Sequence, residues 1–532
     1  MRKIMFLLTM LTAWQLAAAS RTILSQEFNG PALSDVKNAD GWMLQRFWAG
    51  KLARKNGALE LLSTQTGKRN WGRMMCPLLR NNASGMRLDL VCRVRGTGRF
   101  RVGAVRYYPD RPVPQPKDYI WSGWEPLTAE WRDFSMKMDL SGELLRGLNF
   151  VLELDGDGRL ELDAFRVAGE YDETVRIDAP APILVRAGDP VPPPCFRTNR
   201  PGGKFIVFSA SSVDAVAIPD MPAGVVTADA EGRAVVPAAM IDASRPIQVF
   251  RLSLQGNGLV KPPASFGCAI CGAILSQDRT TGSVVITRIP SDEYDASLKA
   301  AKKAKLNGAK TILILADSIW DFDRGANAAD RMNFFLRKAQ GGNIKVVNYA
   351  VHGDRIDKMT ARFKGDLAAV DHGKARYRDL KKETPDLILI MLGHNDTATN
   401  SRSDFASPTV APAVQKAKYG ELLAALKETF PKSKVILLTP LAVNYEGILK
   451  RCEEMRKSGR KLIFRYGDPD KVGAFRKILA EVAAEHRLPL LDMYTPTEHL
   501  DDKPSYFRPD NVHLSPRGYG LLARLVLQEM GK

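Results

Sequence analysis

The feature that most constrains this chain is a change of hydrophobic rhythm near residue 295. From there to residue 532, apolar runs of strand length alternate with stretches whose apolar residues recur at helical spacing. Thr311-Ile-Leu-Ile-Leu315, Ile344-Lys-Val-Val-Asn-Tyr349, Asp386-Leu-Ile-Leu-Ile-Met-Leu392, Lys434-Val-Ile-Leu-Leu-Thr439 and Leu488-Pro-Leu-Leu-Asp492 read as five strands. Residues 327–339, 415–430, 471–486 and 516–530 read as helices between and after them. Strands in alternation with helices predict a parallel sheet covered on both faces, because parallel neighbours need a long crossover. Such a sheet places its chemistry at the carboxyl ends of its strands.

The preceding part of the chain has another texture. Residues 20–172 carry short alternating runs such as Met86-Arg-Leu-Asp-Leu-Val-Cys-Arg-Val94 and Leu148-Asn-Phe-Val-Leu-Glu-Leu154, punctuated by Gly, Asp, Asn and Pro. They predict an all-β sandwich, jelly-roll-like in style. Six of the 8 Trp fall there: Trp42, Trp48, Trp71, Trp121, Trp124 and Trp131. The run Leu160-Glu-Leu-Asp-Ala-Phe-Arg-Val167 resembles the last strand of carbohydrate-binding jelly rolls. Most of these indoles are expected in the core, with Trp121 and Trp124, in a loop-like stretch, as the candidates for sugar stacking. Residues 173–265 predict a smaller β domain or spacer, and 266–294 a linker.

Residues 1–19 read as a signal peptide: Arg2 and Lys3, an apolar run from Ile4 to Leu16, then Ala17-Ala-Ala19, with cleavage expected after Ala19. The apolar run is short for a bilayer span, and no later stretch is long enough. The expectation is a secreted or periplasmic protein without a membrane span once the signal is removed. In that setting Cys76 and Cys92 have the choice of a bridge or two thiols, and Cys268-Ala-Ile-Cys271 that of a local bridge or two buried thiols. The 77 Lys and Arg against 59 Asp and Glu give a net charge of +18. No compact basic tract, RNA-binding signature or zinc-finger spacing accompanies the charge, so no nucleic-acid partner is expected.

The predicted strand ends carry the chemistry. Strand one runs into Ala316-Asp-Ser-Ile319, strand two into Asn348-Tyr-Ala-Val-His-Gly353, and strand three into Gly393-His-Asn-Asp396. Past strand five lies Asp510-Asn-Val-His513. A serine hydroxyl needs a base within reach to become a nucleophile, and the imidazole needs an acceptor on its other nitrogen. Ser318, His513 and Asp510 supply these three parts. The backbone N–H groups of Ser318 and Gly353 and the Asn395 side chain are the candidate oxyanion donors. His394, beside them, is a candidate for substrate contact, whereas Asp317 and Asp396 are expected to cap or brace turns.

In order and on their expected elements, these segments resemble the blocks of the SGNH (GDSL) hydrolase family: Ser318 the block-one serine, Gly353 the block-two glycine, Asn395 the block-three asparagine, and Asp510 and His513 the block-five pair. The resemblance covers residues 295–532. It implies a flavodoxin-like three-layer domain with a five-stranded parallel sheet and no metal or organic cofactor. The family usually has Gly where this chain has Ala316. Gly393-His-Asn-Asp396 resembles the form seen in members acting on plant cell-wall glycans. The function implied is an exported serine esterase that removes acyl groups, acetyl foremost, from a polysaccharide. The alternatives are an acyltransferase, a lipase or thioesterase on the same site, or a non-catalytic glycan-binding or adhesion protein.

Overall fold

The computed structural model describes residues 20–532 apart from 37, 40–41, 45–49, 64–70, 77–78, 82–83, 111–112, 171, 173, 211–220, 258, 261–280, 367–376 and 378. The expected signal peptide, Trp48, Cys268 and Cys271 therefore lie outside the described residues. Among the described residues no helix is long and apolar enough to cross a membrane.

The chain divides into two compact units, 20–181 with 192–242 and 248–284, and 182–191 with 243–247 and 285–532. These bounds differ from those expected. Residues 173–265 are shared between the units, and most of the described end of the expected linker is regular structure. Residues Thr281–Ile289 form a strand and the helix α1 (Ser291–Lys303) follows. Within the second unit, Ile183–Arg186 pairs parallel with Ile286 to Ile289, which brings the early segment to the later one.

The first unit is strand-rich and is organised by two long antiparallel strands, β1 (Arg87–Tyr107) and β2 (Gly147–Glu170). Period-two alternation sets their faces: Leu88, Leu90, Cys92 and Val94 point inward, while Asp89, Val91 and Arg93 point out. Arg132–Asp139 pairs with β1, and Ser20–Glu27, Ala58–Ser63 and Trp71–Met75 pair with β2. The core they close holds Trp42, Phe100, Phe150 and Phe165. Trp42 is fully buried and donates its indole N–H to Gln26 Oε1 at 2.7 Å. Of the two cysteine outcomes open to Cys76 and Cys92, the fold takes the thiols. Cys92 faces inward opposite Phe165, whereas Cys76 Sγ accepts the N–H of Phe150 at 2.9 Å. Burial pushes both thiols up to about 12.

The second unit is built on a parallel sheet of β3 (Thr311–Ala316), β4 (Lys345–Asn348), β5 (Leu387–Met391), β6 (Lys434–Leu438) and β7 (Leu490–Leu491). Their order is β4-β3-β5-β6-β7, every pairing parallel, as expected for a flavodoxin-like domain. Alternate residues feed two cores. Ile312, Ile314 and Ala316 of β3 enter one, and Leu313 and Leu315 the other. The first core is covered by α1, α3 (Ala328–Gln340) and α8 (Pro516–Glu529). The second is covered by α4 (Ile356–Lys364), α5 (Pro412–Thr429) and α7 (Pro469–His486). Two further helices, α2 (Ser318–Asp321) and α6 (Tyr445–Lys457), belong to the carboxyl-end connections. The order reverses between β3 and β5, and at such a switch point the connections diverge to opposite faces and leave a crevice.

Candidate active site

The site is assembled at that switch point. β3 ends at Ala316, and Asp317 caps α2 by accepting the Ile319 N–H at 3.0 Å. Asp317, not Ser318, is thus the cap, which leaves the Ser318 hydroxyl for another partner. Ala316 is fully buried in extended backbone, a conformation that tolerates a methyl group in place of the family's glycine. Its register is retained: the Ala316 carbonyl accepts the Val351 N–H at 2.9 Å and so fixes the turn that leads to Gly353. Gly353 has φ +68°, a left-handed conformation that favours glycine.

Residues far apart in sequence meet here. Ser318 Oγ lies 2.9 Å from His513 Nε2, and His513 Nδ1 lies 2.7 Å from Asp510 Oδ2. The other Asp510 oxygen accepts the N–H groups of Val512 and His513, each at 2.9 Å. Burial pushes the Asp510 carboxyl up, but the imidazole and the two backbone donors outweigh it and bring it down to about 2. An ionised Asp510 is an acceptor only, so it selects the tautomer in which Nδ1–H donates to it and Nε2 accepts the serine hydroxyl proton. Phe322 lies against the imidazole, ring centroids 4.5 Å apart. Ser318 is only 6 % exposed.

Of the remaining candidates, Asn395 donates from Nδ2 to Asp317 Oδ2 at 3.4 Å, so its carboxamide is held beside the serine strand end. His394 is 2 % exposed, its Nδ1 3.5 Å from the same Asp317 oxygen; the structure places it inside the fold. Trp121 and Trp124 belong to the strand-rich unit and are half-buried. The Trp121 ring stacks beside Tyr119 at 5.6 Å, and the Arg101 guanidinium lies 4.1 Å from the Trp121 ring and 4.6 Å from that of Trp124.

Sequence reasoning missed the supports of the histidine loop. Asn511 takes φ +63°, and its side-chain oxygen accepts from Asn444 Nδ2 at 2.8 Å. Asn444 immediately precedes α6. The usable signal was residue type alone, since Asn adopts left-handed backbone more readily than most residues.

Residues 317–521 match the model of the GDSL-like Lipase/Acylhydrolase family. The chain carries a GDSL-like domain. This is a domain of carboxylic ester hydrolases, and its matched span includes Ser318, Gly353, Asn395, Asp510 and His513. A lipase/acylhydrolase from Enterococcus faecalis is similar over 42% of this chain and 95% of its own, at 20% identity and TM-score 0.31. The psychrotrophic esterase EstA from a Pseudoalteromonas species is similar to the GDSL-like domain's chain over 41%, and over 94% of its own, at 14% identity and TM-score 0.28. A xylan-binding domain of Paenibacillus barcinonensis Xyn10C aligns over 29% of this chain and 98% of its own, at 15% identity and TM-score 0.22. No curated protein matches the chain.

Proposed function

We propose that the GDSL-like domain is the catalytic part of an exported esterase that removes acetyl groups from a polysaccharide. One observation carries the mechanism: the continuous hydrogen-bonded series from Ser318 Oγ through the His513 ring to Asp510. His513 Nε2 takes the Ser318 proton as Oγ bonds to the ester carbonyl carbon. The carbonyl oxygen becomes an oxyanion, which the N–H groups of Ser318 and Gly353 and the Asn395 amide receive; losing one such donor raises the barrier by about 3 kcal/mol. Collapse breaks the bond to the sugar oxygen, which leaves with the proton held by His513, and the acyl group stays on Ser318. Water then gives a proton to His513, attacks the acyl-enzyme and releases the acid, and the proton returns to Ser318.

Support for a glycan substrate comes from the strand-rich unit, where Tyr119, Trp121 and Trp124 sit together on one stretch of chain, and aromatic faces suit sugar rings. Support for export is the amino-terminal pattern of Arg2, Lys3 and the apolar run that ends at Ala17-Ala-Ala19. Acetate release from acetylated xylan or pectin, compared between the wild type and Ser318→Ala, is the test. Release by the wild type and none by the variant is expected, and equal release by both overturns the mechanism.

A further inference from the structure

Two of the three oxyanion donors in this reading sit on different turns. Gly353 belongs to the connection between β4 and α4, and Asn395 to the one after β5. A single side chain joins them. Asp396, next to Asn395, is fully buried, and its Oδ1 accepts the N–H of Ile356 at 2.8 Å. Ile356 is the first residue of α4, three positions past Gly353. Its N–H has no partner within the helix, so the carboxyl takes up a donor the helix leaves over. Asp396 is further fixed through its backbone: its carbonyl accepts the Val410 N–H at 3.0 Å.

The surroundings determine the form in which the carboxyl works. Among the described residues, Asp396 Oδ2 is buried without a hydrogen-bond partner, as are the Tyr419 hydroxyl and both ring nitrogens of His394. The groups that face it are the Asp317 carboxyl from the end of β3, Arg355 and Asp357 around the start of α4, and the Tyr419 phenol from α5. A charged carboxylate with one hydrogen bond, in a buried site near a second carboxylate, is disfavoured even with Arg355 nearby.

We propose that Asp396 is a positioning residue, which as an uncharged carboxylic acid clasps the two donor-bearing turns and sets the spacing of Gly353 and Asn395. The proposal rests on the esterase reading above. Consistent with it, burial first, and then Asp317 and Asp357, push the Asp396 carboxyl up to about 7, against the pull of the Ile356 N–H and of Arg355. The clasp acts on the transition state more than on substrate binding, because the donors meet full negative charge only once the oxyanion forms.

The test is steady-state turnover of p-nitrophenyl acetate by the full chain and four variants, with circular dichroism as the check of folding. Asp396→Asn keeps a neutral side chain and the accepting oxygen. It is expected to hold kcat within about threefold of wild type at pH 6, and its kcat relative to wild type is expected to rise at pH 8, where the native carboxyl loses its proton. Asp396→Leu, which removes the clasp, is expected to lower kcat about 100-fold with KM changed less than about threefold, the size of effect a small misplacement of catalytic groups produces. Ile356→Pro deletes the donor, and trims a fully buried side chain with it, at a position where proline suits a helix and after an extended residue that proline favours. It is expected to give the same kcat-selective loss, and it decides the matter if Asp396→Leu does not fold. Wild-type kcat in folded Asp396→Leu or Ile356→Pro overturns the clasp, and an Asp396→Asn loss as deep as that of Asp396→Leu overturns the uncharged form. Ser318→Ala, run alongside, separates the two readings: if it is inert while the Asp396 and Ile356 variants match wild type, the clasp alone fails. If Ser318→Ala turns over at the wild-type rate, the esterase reading fails and takes the clasp with it.

Discussion

Asp510 and Asp396 lie in the same domain, and their surroundings push them in opposite directions. Asp510 is held at about 2, below the 3.8 of a free aspartate. Its contribution to stability is therefore full above about pH 4 and is lost as the pH falls through 2, on the order of 2 kcal/mol in all. Asp396 has the reverse sign. At about 7 in the fold it keeps a proton that the unfolded chain gives up near 4, so stability falls as the pH rises between those values. Asp396→Asn removes the titration, and the melting temperature of the variant relative to wild type is expected to rise from pH 5 to pH 8; a constant difference across that range contradicts the assignment. Asp510→Asn is expected to lower kcat by about 10⁴, because the amide no longer selects the tautomer that accepts the serine proton. Ser318, His513 and Asp510 could be singled out in the sequence because the proposed chemistry restricts each part to few residue types, and the fold brings the three within hydrogen-bond distance. Asp396 was legible only as a brace, because its role depends on which N–H it meets across two turns.

Among the elements, the turn after β5 is tightly constrained. Gly393 has φ +129°, and a Cβ there would lie 2.6 Å from Phe475 Cε1 of α7. Gly393→Ala is expected to cost about 1–3 kcal/mol of stability, read by chemical denaturation, and to lower kcat by shifting Asn395. The start of α3 is similarly specified. Asn327 caps it by accepting the N–H groups of Ala329 and Asp330, while its amide donates to the carbonyls of Trp320 and Phe322 at 2.9 and 3.0 Å. Asn327→Ala is therefore expected to lose at least the 1–2 kcal/mol of an ordinary cap. All five parallel strands were legible: β3 and β5 are buried and apolar almost throughout, β4, β6 and β7 keep short apolar runs, and the helices between them keep a separate period. The strand Thr281–Ile289 was not, because its continuous apolar run, Val284-Val-Ile286, is short and lies within the expected linker. The pairing of Asn444 with Asn511 was hidden as well, since loop-to-loop contacts leave no periodic trace.

At the scale of the molecule, each compact unit has a core of its own. In the strand-rich unit the outward face of the sheet carries a buried ion cluster. Glu153 is fully buried and receives Arg73 and, at 2.6 Å, Arg101. Glu153→Ala removes the buried carboxylate that two guanidinium groups share and is expected to destabilise that unit by about 3–5 kcal/mol, followed by tryptophan fluorescence during denaturation. In the GDSL-like domain the last pieces of chain complete the first. Ser318 and His513 are 195 positions apart, and the histidine lies past β7. A nascent polypeptide that has emerged as far as β7 therefore displays an unactivated alcohol. On the proposed mechanism, nucleophilic power arrives only once the later segment that carries His513 has emerged and settled against the end of β3.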